Sequence, residues 1–98
     1  MPDLRFEWDA AKAAENKSKH HVSFVEAESV FADEYALLLD DPEHSDSEDR
    51  FVLMGLSAKL RVLVVVHAYR EAAGIIRLIS ARKANARERT IYNRRWQT

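Results

Sequence analysis

The chain is 98 residues long, 47% hydrophobic and free of cysteine, with 15 Lys and Arg against 16 Asp and Glu. That length supports one sheet-and-helix core rather than two, and the lack of cysteine removes disulfides, iron–sulfur clusters and thiolate zinc sites. No apolar run approaches the roughly 20 residues a membrane span needs, and the N-terminus, with Asp3 and Glu7, does not read as a signal peptide, so the expected location is the cytoplasm.

The near-neutral total hides a strong asymmetry. Residues 1–49 hold 4 Lys/Arg against 14 Asp/Glu, whereas residues 50–98 hold 11 against 2. A split of −10 and +9 predicts an acidic face and a basic one, and a basic face commonly meets a polyanion or an acidic partner. The plainer alternative is that the two halves neutralise each other within the fold.

In chain order, Phe6-Glu7-Trp8 alternates and predicts a strand or extended lead-in with Phe6 and Trp8 facing the core. Asp9 is a natural N-cap for the Ala-rich residues 10–19, a short surface helix closed by Lys19-His20-His21. Ser23 with Glu26 three residues on fits a capping box, and Val22 a hydrophobic staple, so a second helix starts near Phe24 with Phe24, Ala27, Val30 and Phe31 on its apolar face. Asp33-Glu34 ends it. Residues 35–39 predict a strand, 40–49 a polar loop, and 51–56, 60–69 and 75–82 three strands with tight connections, an antiparallel meander. Residues 84–96 predict a helix. The class is α+β: two N-terminal helices, an antiparallel meander sheet of about four strands, and a C-terminal helix.

The strand-to-helix segment 75–92 organises the basic half, because Arg77, Arg82, Lys83, Arg87 and Arg89 fall within it. Rigid elements there hold several cations close together, which suits an anion such as an RNA phosphate.

With these residues in view, the chain resembles the BrnT family of toxins from bacterial type II toxin–antitoxin modules. The resemblance rests on Phe6-Glu7-Trp8-Asp9, Lys12, Asn16, Lys19-His20, Val22-Ser23-Phe24, Glu26-Ala27, Val30-Phe31 and Asp33. It continues through His44-Ser45, Glu48, Arg50, Gly55, Arg70, residues 79–84, Arg87, Glu88 and Tyr92. It implies a small RelE-like ribonuclease that arrests growth by cleaving RNA. It also implies a BrnA-like ribbon-helix-helix antitoxin in a hetero-oligomer with it, operator DNA being reached only through that antitoxin. Two positions depart from the family pattern: His21 stands where Gly usually closes the first helix, and His67-Ala68-Tyr69 replaces a Tyr-Thr-Glu type run before Arg70.

Metal-free RNA cleavage needs a base for the ribose 2′-OH, an acid for the leaving 5′-oxygen and cations for the phosphorane. The expected catalytic set is His20, His44, Glu48, Arg50 and Arg82, with Lys19, Arg70, Arg77 and Lys83 as further phosphate ligands. Arg82 and Lys83 lead among the cations, and His20 and His44 are rival bases because histidine titrates near neutrality. Each also has a plainer reading, as a solvated charge or, for His20, a helix-terminal hydrogen-bond donor. Strict alternation puts Arg77 and Arg82 on opposite faces, so they serve one site only where the strand ends or bulges between them. His67, in an apolar strand, reads as a core histidine. Tyr92 and Trp96 either pack the core or contact the antitoxin. No pair of histidines has metal-ligand spacing, and no cofactor is expected. A non-catalytic module whose basic face holds an antitoxin or nucleic acid is the alternative; a standalone DNA repressor lacks a helix-turn-helix pattern.

Overall fold

The computed structural model describes residues 4–40, 50–70 and 73–95. In chain order these form β1 (Arg5–Glu7), α1 (Ala10–His20), α2 (Phe24–Ser29) continued by a 3-10 turn (Val30–Ala32), β2 (Leu37–Asp40), β3 (Arg50–Leu56), β4 (Val62–Arg70), β5 (Ile75–Lys83) and α3 (Ala86–Arg95). The strands make one sheet in the order β1-β5-β4-β3-β2, antiparallel except that β1 runs parallel to β5. The α+β class holds, but the sheet has five strands and is mixed, not a four-stranded antiparallel meander. The difference is β1, three residues whose pairing with Ile75, Ile76 and Arg77 is decided by contact across the fold rather than by local pattern. His44, Glu48, Trp96 and most of the expected polar loop lie outside the described residues.

Local chemistry sets the helix ends. The Asp9 carboxylate accepts from the Lys12 N–H at 3.1 Å, and His21 closes α1 in the left-handed region at φ 59°, donating its N–H to the Lys17 carbonyl at 2.9 Å. That conformation costs a residue with a Cβ roughly 1–2 kcal/mol. Ser23 caps α2 through the Glu26 N–H at 3.0 Å. The reciprocal half of the capping box is not made: Glu26 is buried and its carboxylate is taken by Arg61, which pairs with both oxygens, and by the Ser57 hydroxyl at 2.7 Å. Arg61 holds that carboxyl below its ordinary range against the opposing effect of burial, and so ties α2 to the turn between β3 and β4.

The sheet has two differently covered faces. On one, Val22, Phe24, Ala27 and Val30 pack against Leu53, Leu63, Val65, Ile76, Leu78 and Ala81. Fully burying each of the larger of these side chains stabilises by roughly 1.5–3 kcal/mol. On the other, α3 covers one end through Tyr92, packed with Met54, Val64 and, just before the helix, Ala84. The Tyr92 hydroxyl donates to Asp33 Oδ2 at 2.6 Å, and the same oxygen accepts the Leu56 N–H at 2.7 Å. Burial alone would raise the Asp33 carboxyl, yet those donors, with the Tyr35 N–H and the nearby Arg95 charge, together outweigh it and keep it low. Gly55 lies against this knot: a Cβ there would meet Ala36 Cβ and Val30 Cγ1 at 2.9 Å.

β5 does not alternate strictly. Ser80 pairs with Val66, but the next pair is Leu78 with His67, which leaves Ile79 as an extra residue. This bulge returns Ala81 to the helix-covered face with Ile76 and Leu78, and it moves Arg77, Ser80 and Arg82 together onto the other.

Candidate functional site

The half of the second face that α3 leaves uncovered carries arginines from three strands. Register aligns Arg50 of β3, Ala68 of β4, Arg77 of β5 and Glu7 of β1 in one row across the sheet. Alternation from Met54 and Val64 places that row on the face shared with α3. Arg50 and Arg77 therefore flank the small Ala68, two strands or about 10 Å apart. Arg70 follows two residues along β4 from Ala68 on the same side, and Ser80 and Arg82 continue the face along β5.

The cations differ in how far they are already satisfied. Arg82 makes two hydrogen bonds to Glu88, at 2.8 and 2.9 Å. Glu88 also caps α3, accepting the Asn85 N–H at 2.9 Å while its own N–H reaches Asn85 Oδ1 at 2.8 Å. Each partner holds the other charged, the Glu88 carboxyl lowered and the Arg82 guanidinium raised. Arg70 lies 3.9 Å from Glu7, both side chains largely in water, a separation at which an exposed pair contributes little. Arg77 has no ion pair among the described residues.

Two residues expected to contact a ligand or partner, Lys83 for phosphate and Tyr92 for the antitoxin, are elsewhere. Lys83 pairs with Leu63, a residue of the helix-covered core, so it belongs to the face opposite Arg82; adjacent residues of a strand cannot both address one site on the sheet. Tyr92 is 1% exposed and bonded to Asp33, so it holds α3 to the sheet and offers no surface to an antitoxin. His67 is buried as expected, edge-on to Phe31 with centroids 4.9 Å apart, and burial lowers its pKa toward the neutral form.

Lys19 and His20 stand at the open edge of β5. With Lys12, Glu15, Asn16, Ile79 and Ser80 they line a cleft of about 220 Å³. Asn16 fixes that junction: its amide donates to the Ala81 and Val22 carbonyls, both at 2.9 Å, and its oxygen accepts the Ala81 N–H at 3.0 Å. Ser80 lies on the arginine face by register and also lines the cleft, so the two are contiguous. Glu7 and Ser80 belong to the stretches that carry the family resemblance but were not expected at the site, because a three-residue strand and a bulge each depend on a distant partner.

A sequence model of the family described as the ribonuclease toxin, BrnT, of type II toxin–antitoxin systems matches residues 8–88. The chain belongs to that family. The crystal structure of the Brucella abortus ribonuclease toxin, BrnT, superposes with a TM-score of 0.66 at 21% identity, over 85% of this chain and 99% of that one. At that identity the likeness concerns the fold. No curated protein matches the sequence. As a member of the BrnT family the chain has a protein antitoxin as its partner, and ribonuclease chemistry is the frame in which its basic face is to be read. Among the described residues no helix is long and apolar enough to cross a membrane.

Proposed function

We propose that this BrnT-family chain is a metal-independent endoribonuclease that cuts mRNA and thereby arrests translation and growth, in the manner of RelE-like toxins. The observation that carries the reading is the bulge at Ile79 together with the strand register, which bring Arg50, Arg70, Arg77 and Arg82 to one face.

On that face Arg50 and Arg77 flank the scissile phosphate and take up the charge that builds on its non-bridging oxygens. Arg82, oriented by Glu88, and Arg70 extend the positive field. Fixed cations of this kind need no reorganisation as the phosphorane forms. Arginine does not serve as the base, since its guanidinium stays protonated. His20, at the contiguous edge, takes the proton of the 2′-hydroxyl; the 2′-oxygen attacks phosphorus, the bond to the 5′-oxygen breaks, and that oxygen leaves with a proton from a second donor. The products are a 2′,3′-cyclic phosphate and a 5′-hydroxyl. His44 and Glu48 remain rivals to His20 for the proton-transfer roles. The antitoxin is a BrnA-like ribbon-helix-helix protein, and operator DNA is met through it.

The test is incubation of purified protein with single-stranded RNA in EDTA. The expected result is fragments ending in a cyclic phosphate, abolished by Arg50→Ala and Arg77→Ala together at an unchanged thermal midpoint. No cleavage by the unaltered protein, or undiminished cleavage by the double variant, overturns the reading.

A further inference from the structure

We propose that the cleft between α1 and the outer edge of β5 is a second phosphate-binding subsite, held by Lys12 and Lys19, which takes a phosphodiester flanking the one on the arginine face. This rests on the nuclease reading above and adds to it a minimum substrate length and a path for the strand.

The cleft exists because the sheet is incomplete on that side. β1 ends at Glu7 opposite Arg77, so beyond Arg77 the edge of β5 has no strand partner among the described residues. Asn16 plugs that edge at Ala81 as a neighbouring strand would, with two hydrogen bonds to the main chain, and its third bond goes to Val22. Between the end of β1 and this plug lies the bulge, where Ile79 and Ser80 line the cleft instead of meeting another strand.

The charges follow from helical spacing. Lys12, Asn16 and Lys19 recur at intervals of four and three, one stripe of α1, and Asn16 is its buried anchor at 6% exposure. Lys12 and Lys19 stand about 10.5 Å apart along the axis, on either side of that anchor, and their long flexible stems reach a phosphate seated over the cleft. Neither is in an ion pair among the described residues, unlike Arg61 and Arg82. Glu15 is the acid among the lining residues, set against two lysines, so the cationic character persists. Two bonds from a buried amide hold the helix against the strand, and a third ties it to Val22, before any ligand arrives, so little ordering remains to be done on binding.

Ser80 joins the cleft to the arginine face, and a strand occupying both must turn around the sheet edge. A single strand does this; a duplex, which is stiff, does not. The ligand class is therefore single-stranded RNA with at least one phosphodiester beyond the scissile one, held through its backbone.

The experiment measures affinity for uncleavable 2′-deoxy oligonucleotides of two and six residues, in the unaltered protein and in the Lys12→Gln, Lys19→Gln double variant. Both lysines are exposed, so the thermal midpoint is preserved. The unaltered protein is expected to prefer the hexanucleotide. In the double variant that preference falls about tenfold, and the log K against log salt slope for the hexanucleotide becomes shallower by roughly 0.7 for each phosphate that is no longer neutralised. Lys12→Arg with Lys19→Arg restores both. A preference and a salt slope that are unchanged in the glutamine variant overturn the subsite. Failure of the nuclease reading registers separately, as the absence of cleavage of the all-ribose hexanucleotide by the unaltered protein.

Discussion

The two faces of the sheet are built from the same strands and behave oppositely. Under α1 and α2 the face is dry, and the buried carboxylate at its margin, Glu26, is paired with Arg61. The other face is apolar chiefly where α3 lies on it; from Ala68 outward it carries arginine from three strands, and Arg82 stands beside α3, bonded to Glu88. The difference teaches that a guanidinium's neighbours, not its count in the sequence, decide whether it serves the fold or a ligand. Arg61 commits its donors to a buried carboxylate and to the His21 carbonyl at 3.2 Å, while Arg77 commits none to a carboxylate among the described residues.

The sharpest way to break this contrast is to truncate one charged side chain on each side. Arg77→Ala is expected to lower kcat for RNA cleavage by about 10²–10³-fold, the scale for losing one transition-state donor, with the thermal midpoint held. Glu26→Ala is expected to do the reverse. It leaves Arg61 without its partner and lowers stability by about 3 kcal/mol in urea unfolding, near the low end for a broken buried pair because Arg61 reaches water, while specific activity of the folded fraction persists. If the two variants exchange these effects, the division between the faces is wrong.

A smaller effect tests the strap that carries α3. Tyr92→Phe removes only the hydroxyl that Asp33 accepts, and about 1–2 kcal/mol of stability is expected to go with it, read as a shift in urea midpoint. An unchanged midpoint detaches Asp33 from the positioning of α3.

Acid sharpens the contrast in another way. Glu26, Asp33 and Glu88 have folded-state values lowered from 4.5, 3.8 and 4.5. Their stabilisation is complete above those unfolded values and is lost as pH falls through the lower folded ones. His67 is lowered from 6.5 by burial, so the unfolded chain takes up that proton first and stability begins to fall below about pH 6.5. His67→Phe is expected to flatten the fall in stability that begins below about pH 6.5, and Glu26→Gln to flatten only the more acidic limb. The smallest change concerns the end of α1: His21→Gly relieves the left-handed conformation and is expected to raise stability by about 0.5–1 kcal/mol, measured as a higher thermal midpoint.

Much of this architecture is legible in the residues themselves. Asp9 and Ser23 announce their helices because a capping oxygen acts within one turn. The apolar stripe of Phe24, Ala27 and Val30 predicts a buried face because helical period is local. The family resemblance carried by Lys19-His20, Asp33 and Glu88 points to the same class the family match gives. What local pattern misses is where an acid turns. Glu26 reads as a capping-box partner but serves Arg61 thirty-five residues away, and Asp33 reads as a helix breaker but receives Tyr92 and Leu56.

From its sequence alone, then, this protein's helices, most of its strands and the basic character of its C-terminal half were determined, since propensity, capping and alternation act over a few residues. The tertiary structure decided which cations share a face. Strict alternation separates Arg77 from Arg82, and a single unpaired residue, Ile79, reunites them. It also sent Lys83 and Tyr92 away from the site and brought Glu7 into it through a parallel pairing with Arg77. Side-chain direction in a strand inverts with each residue of register, and register is set by the partner strand, which no local pattern contains.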